Sequence, residues 1–333
     1  MLNLKCKIEI TSKDTKTVSF DYVNSIEVKT STKNLTDTAI VKVPRKMRWN
    51  GKPLTDFIKR DDRITIQIGY EEQGLQTVFT GYLTGVKNSA PLVLTCENEM
   101  YPLKKGEIVP AENFDIKEFF QKYVPGVKCE IVGNMSVGSV NFENRMTVVE
   151  ALDKIMQVYP YIRCYFQDDV FYAVANSMPH TDKKVVFDPT RNMITDELKY
   201  THKDDVKICV KAVSILDNNK KLEAYAPTEA MEVKAGKNEV KSGYVLQHFS
   251  CPHCKTEKEL QDFADNTAKE LVANKMSGNF KAFGIPFVRK GDIVELRDEE
   301  KPERHKKQFV AEAVDYSFGT GGYRQTITLG NQV

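Results

Sequence analysis

Hydrophobic and polar residues alternate along most of the N-terminal third of the chain, which is the pattern of half-buried β-strands. Ile64, Ile66 and Ile68 occupy every second position, and a similar run ends at Pro44. Glycines interrupt these runs where turns are expected. The first domain, residues 1–105, is therefore predicted to be a small antiparallel β-barrel or sandwich.

The same strand pattern returns near the C-terminus, about 230 residues later. Four positions align without a gap: Asp62 with Asp292, Ile64 with Val294, Ile66 with Leu296, and Phe79 with Phe309. The alignment predicts a duplicated barrel in which Phe79 and Phe309 are equivalent core anchors. Duplication of a scaffold favours assembly over catalysis, and chance similarity of two hairpins is the alternative interpretation.

The spacing of apolar residues changes between the two copies from that of strands to that of helices, which predicts a small α/β domain at residues 106–181. Helical spacing relates four large apolar residues, Ile116, Phe119, Phe120 and Tyr123. A second helix opens at Thr147 with Glu150 three residues later, the capping-box pattern. Two strand-like runs follow, joined by a predicted turn at Gln167-Asp168-Asp169.

Residues 182–333 are predicted to form the second β-barrel domain. A polar excursion at about 218–241 is interpreted as a solvent-exposed hairpin or loop, and a helix at about 257–277 starts with a second capping box at Thr256 and Glu259. The predicted fold class is thus α+β, mainly β. It consists of two similar small antiparallel β-barrel domains separated by a small α/β domain, with an outer helix on the C-terminal barrel.

Charge and hydropathy exclude several classes of partner. The chain has 48 Lys and Arg against 46 Asp and Glu, a net charge of +2, so no global field attracts nucleic acid or an anionic membrane. No run approaches the roughly 18 apolar residues of a membrane span. We therefore expect no sequence-specific nucleic-acid binding and no membrane insertion. We expect the protein to be synthesised in a cytoplasm.

The seven cysteines are mostly isolated in strand-like segments, which predicts reduced, buried thiols. Cys251-Pro252-His253-Cys254 is the one cluster with metal-ligand spacing, but a structural zinc site needs four ligands and the chain has no second such pair. The helix is predicted to begin near Glu257, too late for a redox pair at its start. The cluster is interpreted as a strand-to-helix connection without metal, and a zinc-stabilised binding module is the alternative.

A glycosidase needs two carboxylates, and carboxylates are numerous in the chain. Adjacent pairs include Asp61-Asp62, Asp168-Asp169, Asp204-Asp205 and Glu299-Glu300. Each pair lies at a predicted turn, where solvated charge is the ordinary explanation. Gly319 to Gly322 is interpreted as a hairpin turn, because no Lys and helix follow it as in a phosphate-binding loop. No catalytic, cofactor-binding or metal-binding residue is predicted, and no cofactor.

Several strand and turn motifs occur in an order that is known from one family: Gly69-Tyr70 before Val78-Phe79-Thr80-Gly81-Tyr82-Leu83, Asp204 to Ala212, Gly284-Ile285-Pro286 with Arg289 to Val294, and Gly321 to Leu329. Together with the order of domains, they resemble the tail hub proteins of contractile-tailed bacteriophages. The resemblance is to the late control protein D family and to the hub portion of type VI secretion spike proteins. The resemblance covers nearly the whole chain, although each motif alone is of low specificity.

The resemblance implies a non-enzymatic structural protein of a phage tail or baseplate. It implies a homotrimer whose two barrels per chain form a pseudo-sixfold ring, which joins the sixfold tail tube to a threefold spike. The expected partners are the tail tube protein, the spike protein and other baseplate proteins. The expected location is the virion tail or baseplate, after assembly in the bacterial host cytoplasm.

One alternative belongs to a different functional class: a carbohydrate-active or peptidoglycan-processing enzyme on a two-barrel scaffold. Two carboxylates roughly 5 to 10 Å apart in a deep cleft would favour it.

Overall fold

The structure, a computed structural model, describes residues 3–14, 16–124, 128–133, 139–175, 178–216, 220–234, 237–252 and 254–333. The elements of the first part are β1 (Leu4–Thr11), β2 (Thr17–Phe20), β3 (Ser25–Ser31), β4 (Thr38–Val43), β5 (Arg48–Trp49), β6 (Lys52–Pro53), β7 (Arg63–Tyr70), β8 (Gly74–Lys87), β9 (Leu92–Glu97) and α1 (Met100–Leu103). Those of the middle part are β10 (Ile108–Val109), β11 (Asn113–Asp115), α2 (Ile116–Tyr123), β12 (Lys128–Val132), β13 (Ser139–Asn141), β14 (Met146–Thr147), α3 (Val148–Val158), β15 (Ile162–Gln167) and β16 (Val170–Ala175).

The remaining part of the chain begins with β17 (Lys184–Phe187), β18 (Met193–Asp196), β19 (Lys199–Thr201), β20 (Ile208–Ile215), β21 (Lys221–Ala226), β22 (Met231–Lys234), β23 (Lys237–Val240), β24 (Val245–Ser250) and α4 (Glu257–Val272). It ends with β25 (Lys275–Ser277), β26 (Asn279–Phe283), β27 (Ile293–Leu296), β28 (Gln308–Gly319) and β29 (Gly322–Gln332). The predicted polar excursion contains the β22–β23 hairpin, and its residue Asn218 lies outside the described residues. It also contains β21, whose Leu222, Ala224 and Ala226 are buried, so the interpretation as solvent-exposed is wrong for this strand.

Both predicted capping boxes are present. At the start of α3, Glu150 Oε2 accepts the backbone N–H of Thr147 at 2.7 Å, and Thr147 Oγ1 accepts the N–H of Glu150. Thr256 and Glu259 make the same exchange at the start of α4. Each box satisfies backbone donors that the first helical turn leaves free, which explains why the helices begin at these residues.

Most strands belong to one 15-stranded sheet, which we call the large sheet. Its main path runs β18-β26-β29-β28-β3-β4-β9-β8-β7-β1-β2, with β17, β19, β25 and β27 attached beside it. The path passes from the C-terminal to the N-terminal part of the chain through β28 and β3, where Tyr316 lies opposite Val28. One apolar cluster, which includes Ile66, Phe79 and Phe309, extends across both parts.

The prediction of a mainly β, antiparallel protein is confirmed, but the two-barrel arrangement is not. Among the described residues the strands form an open sheet and do not close into a barrel. The physical reason is the β3–β28 pairing. These two strands satisfy each other's backbone N–H and C=O groups, which in two separate barrels would have to be paired by closing each sheet on itself.

A second apolar cluster, which we call the second core, contains the helices. It combines residues of α2, α3, β15 and β16 with residues of β20, β21 and α4, for example Phe120, Ile155, Val210 and Phe263. The helix α4 was predicted to pack outside a C-terminal barrel. Its buried face, including Leu260 and Phe263, instead lies in the second core.

The end of α4 also differs from the prediction. The helix stops at Val272 instead of continuing to about 277, because Lys275–Ser277 forms the strand β25, which pairs with β19 and β29. Gly278 follows with φ +87°, where a Cβ would overlap the carbonyl group of Glu197. The glycine therefore permits a close crossing of two chain segments and does not terminate the helix.

The boundaries 1–105, 106–181 and 182–333 stay predictions. The described ranges hold no helix that combines the length and the apolar character needed to cross a membrane.

Candidate functional site

The repeat predicted from the sequence has its clearest counterpart in two turns. Asp62 Oδ2 accepts the backbone N–H of Lys59 at 2.7 Å, and Asp292 Oδ2 accepts the backbone N–H of Arg289 at 2.9 Å. In both turns the N–H of the aspartate also donates to the carbonyl oxygen of the same residue, three positions earlier. The correspondence of Asp62 and Asp292 is therefore confirmed at the level of individual hydrogen bonds.

The residues next to these aspartates repeat as well. The residue before each one has positive φ, +74° at Asp61 and +81° at Gly291. The N–H of Asp61 donates to the carbonyl of Leu83, and the N–H of Gly291 donates to the carbonyl of Ala311. Each turn thus precedes an antiparallel hairpin and is hydrogen-bonded to its second strand in the same way.

The two hairpins differ in register beyond these turns. Ile66 lies opposite Phe79 in the first, whereas Val294, the counterpart of Ile64, lies opposite Phe309 in the second. Both phenylalanines are buried, but they are displaced by two positions relative to their partner strands. The prediction that Phe79 and Phe309 are equivalent anchors is therefore wrong.

A buried ion pair lies between the two parts of the large sheet. Lys290 Nζ is 2.6 Å from Asp37 Oδ2, and it also donates to the carbonyl oxygen of Ser31 at 3.3 Å. Asn98 Nδ2 donates to Asp37 Oδ2 at 3.2 Å. Burial raises the pKa of Asp37 and lowers the pKa of Lys290, while the ion pair opposes both shifts.

The predicted hairpin turn at Asp168-Asp169 is present, and its carboxylates are bound by arginines from opposite ends of the chain. Asp169 Oδ1 lies 2.6 Å from Arg63 Nη2, at the start of β7. Asp168 Oδ2 pairs with Arg289, in the loop before β27. We call this boundary between the large sheet and the second core the seam; it is formed by Arg63, Asp168, Asp169, Arg289, Lys290 and Tyr165.

A second carboxylate shares the Arg63 guanidinium. Glu99 Oε1 lies 3.0 Å from Arg63 Nη2, the same nitrogen that contacts Asp169. Burial raises the pKa of Glu99, the Arg63 charge opposes that shift, and the Asp169 charge adds to it. These two carboxylates line a partly open pocket of about 40 Å³.

The aromatic centre of the seam is Tyr165. Lys290 Nζ lies 4.9 Å from the Tyr165 ring centroid, and the Tyr165 hydroxyl is 3.0 Å from His180 Nδ1. Burial lowers the pKa of His180 to about 4, and the Asp292 charge opposes this shift. His180 is therefore neutral at pH 7.

The other adjacent carboxylates have structural or solvent-exposed roles. Asp61 accepts from the Tyr101 hydroxyl at 2.7 Å and pairs with Lys105 at 3.0 Å. The residues Asp204, Asp205, Glu299 and Glu300 are exposed at the surface.

Motif residues that are far apart in sequence come together at a groove of about 440 Å³. It is lined by residues of the β7–β8 hairpin, Gly69 and Tyr70, and by the segment from Gly284 to Phe287. The Tyr70 hydroxyl reaches the carbonyl oxygen of Tyr323 at 3.5 Å, and the two rings lie 5.8 Å apart. A Cβ at Gly284 would overlap the Tyr323 ring, so this position requires glycine.

The cysteine cluster lies in the connection between β24 and α4, as predicted, but Cys251 and Cys254 form a disulfide where reduced thiols were expected. Of the remaining cysteines, Cys6, Cys96, Cys164 and Cys209 are free and buried, and Cys129 is free and half-buried. His253 lies outside the described residues. The described part of the chain contains no group of three or more metal-ligating side chains.

Sequence reasoning missed Glu99, Asp37 and the two arginines of the seam. None of them belongs to a motif that marks chemistry, since their partners are distant in sequence. One signal was available at the turn: Asp at the second position of a two-residue hairpin, where Gly is preferred.

No family model matches the chain, and no curated protein matches it. Solved structures do match over nearly the full length. The tail protein from Neisseria meningitidis has a TM-score of 0.65 at 12% identity, covering 99% of this chain and 97% of that one. The 43 kDa tail protein of prophage MuSo2 from Shewanella oneidensis has a TM-score of 0.60 at 13% identity, covering 98% and 97%.

A third match is an E. coli component of the type VI secretion system, described as structurally similar to the T4 bacteriophage tail proteins gp27 and gp5. Its TM-score is 0.54 at 10% identity, covering 93% of this chain and 73% of that one. The chain therefore has the fold of phage tail proteins and of their relatives in type VI secretion, as the sequence resemblance implied.

Proposed function

We propose that this protein is a non-enzymatic structural hub of a phage tail, or of a related contractile injection machine. The observation that carries the proposal is a fold shared with two phage-type tail proteins over 97% of each of them. A shared fold alone does not define a function. The resemblance becomes informative because it spans the whole of both chains, so that the matched proteins have little additional mass in which a different activity could reside.

The proposed assembly is a homotrimer in which each chain presents two similar β-units to a ring of approximate sixfold symmetry. The paired turns at Asp62 and Asp292 support it, because they repeat the same hydrogen bonds and lead into similar hairpins. Three copies of a chain with an internal repeat supply six similar surfaces, which a sixfold tube requires of a threefold hub.

The proposed partners follow from that symmetry. The tail tube protein would bind the sixfold side and the spike protein the threefold side, with other baseplate proteins around the rim. The proposed location is the virion tail or baseplate, after assembly in the bacterial host cytoplasm. The groove beside Tyr70 and Tyr323 is a candidate contact for one of these partners, since its lining is mostly apolar and the turn residues Gln73 and Gly74 at its edge are exposed.

The geometry around Glu99 and Asp169 favours the structural role over a glycosidase. These two carboxylates meet at one guanidinium, and the pocket beside them, about 40 Å³, has room for water and not for a sugar residue. An open cleft between the two carboxylates would be required for glycoside hydrolysis.

Light scattering over a range of concentrations tests the proposal. A species with about three times the 37.9 kDa chain mass, which forms rings with purified tail tube protein in electron micrographs, is the expected result. Release of soluble fragments from purified peptidoglycan would overturn the proposal in favour of the enzyme. A chain that stays monomeric at high concentration and binds neither tube nor spike protein would also overturn it.

A further inference from the structure

The large sheet and the second core remain separate apolar clusters, and they are attached unevenly. Leu35 and Met100 from the N-terminal part pack into the second core, so apolar contacts join the two units there. At the tip of the β15–β16 hairpin the contacts are instead ion pairs, Asp168 with Arg289 and Asp169 with Arg63. One side of the boundary is therefore held by apolar packing, and the other by ion pairs around the buried Tyr165 ring.

The hairpin turn has an unusual composition for its backbone geometry. Asp168 and Asp169 have φ values of +49° and +64°, and Gln167 lies opposite Val170. A two-residue turn of this kind favours Asn, Asp or Gly at its first position and Gly at its second, so Asp169 lies where glycine is usual. Asn-Gly would suit the same backbone without charge, so the turn itself does not require the two carboxylates.

We propose that the Gln167–Val170 hairpin is an electrostatic latch, which salt opens so that the second core swings away from the large sheet at the seam. The packed side near Leu35 and Met100 serves as the hinge. This inference does not depend on the proposed function, because it concerns the two cores of a single chain.

Opening the latch leaves no cation of the seam without a partner. Arg63 keeps Glu99, whose Oε1 lies 3.0 Å from Nη2. Arg289 Nη2 keeps the carbonyl oxygen of Thr77 at 3.3 Å. Stranded buried charge, the usual penalty for separating an ion pair, is thereby avoided.

Lys290 behaves in the same way. Its contact with β15 is the Tyr165 ring, and its ion pair with Asp37 lies entirely on the sheet side. All three cations thus have a contact that opening breaks and another that opening preserves.

The closed state also carries a polar defect. Gln167 Oε1 is buried and accepts no hydrogen bond, a condition that water would relieve once the hairpin moves out. The aspartates themselves are accessible, with side-chain exposures of 50% for Asp168 and 58% for Asp169. Dissolved ions therefore reach the latch and weaken it.

Spin-label distance measurements test the latch in the full chain. Labels at Lys29→Cys on β3 and Lys154→Cys on α3, both exposed, report the separation of the two units, with Cys129→Ser removing a half-buried thiol. We expect one short distance at about 0.01 M salt, where the screening length is about 30 Å, and a second, longer one at about 1 M, where it is about 3 Å.

A matched pair of variants isolates the charges. Asp168→Asn with Asp169→Asn suits the turn backbone but removes both ion pairs, so the longer distance is expected already at low salt. Asp153→Asn, an exposed site on α3 outside the seam, is expected to leave the distribution unchanged. A single, identical distance in the parent chain at both salt concentrations and in the double variant would overturn the proposal.

Discussion

Lys290 and Asp37, 253 positions apart in sequence, form an ion pair that is buried from solvent, with Nζ and Oδ2 separated by 2.6 Å. Asp37 lies between β3 and β4, and Lys290 lies just before β27. The pair therefore joins the loops of two parts of the large sheet close to the point where β3 and β28 meet.

Removing one member of this pair is expected to destabilise the protein strongly. Asp37→Asn leaves a buried ammonium group without its counter-ion, and such changes cost about 3–5 kcal/mol of unfolding free energy. Urea denaturation monitored by circular dichroism measures the loss. The double variant Asp37→Leu with Lys290→Met is expected to recover most of it, since neither charge is then buried.

An exposed ion pair supplies the control. Glu27 and Lys42 lie 3.2 Å apart with side-chain exposures of 49% and 38%, and Glu27→Gln is expected to change the unfolding free energy by less than about 1 kcal/mol. Equal losses at Asp37 and Glu27 would contradict the importance assigned to the buried pair.

His180 is expected to make stability depend on pH in the acidic range. Burial holds its folded pKa at about 4, below the ordinary value of 6.5, so between these values the unfolded chain binds a proton that the folded protein does not. The contribution of His180 to stability is therefore complete above pH 6.5 and decreases as the pH falls toward 4.

The variant His180→Gln tests this contribution, because it cannot titrate. The difference in unfolding free energy between parent and variant is expected to shrink as the pH falls from 7 toward 4. Asp292, Lys290, Glu130 and Asp168 surround the ring and remain in both proteins, so their own titration largely cancels. A difference that is constant over this range would show that His180 has an ordinary pKa.

The helix starts could be predicted from sequence because their causes are local. Thr256 and Glu259 are three residues apart, and their reciprocal hydrogen bonds need no other part of the chain. The repeat at Asp62 and Asp292 was visible for the same reason, since each aspartate binds a backbone group three residues away.

The failures have a common physical origin in distant pairing. Phe79 and Phe309 aligned at a constant offset, but a shift of two residues preserves which face of a strand is apolar, so the hydrophobic pattern cannot detect it. The placement of α4 failed similarly, because its apolar stripe would fit either core and only the tertiary fold selects one. The seam depends on partners such as Arg63 and Asp169, 106 positions apart.

The cap of α4 can be tested directly. Thr256→Ala removes the hydroxyl that accepts the N–H of Glu259 and is expected to cost about 1 kcal/mol of unfolding free energy. Thr256→Ser keeps the acceptor and is expected to stay close to the parent chain. Thermal denaturation of the three proteins side by side separates loss of the hydrogen bond from loss of the methyl group; equal destabilisation by both variants would assign the effect to packing.

Gly284 and Gly321 provide a last comparison, in which substitution by alanine is expected to destabilise the protein at the first position and not at the second. A Cβ at Gly284 would overlap the Tyr323 ring, and Tyr323 is fully buried and cannot rotate away without displacing its neighbours. Gly284→Ala is therefore expected to cost about 1–3 kcal/mol of unfolding free energy, as other overpacking substitutions do.

Gly321, in the tip of the β28–β29 hairpin, is the control. A Cβ at this position would meet no atom within 4 Å, and Gly321→Ala is expected to change the unfolding free energy by no more than about 0.5 kcal/mol. Urea denaturation measures both. Equal effects of the two substitutions would mean that the segment from Gly284 to Phe287 does not pack on Tyr323 as described, and the groove would then lose one of its walls.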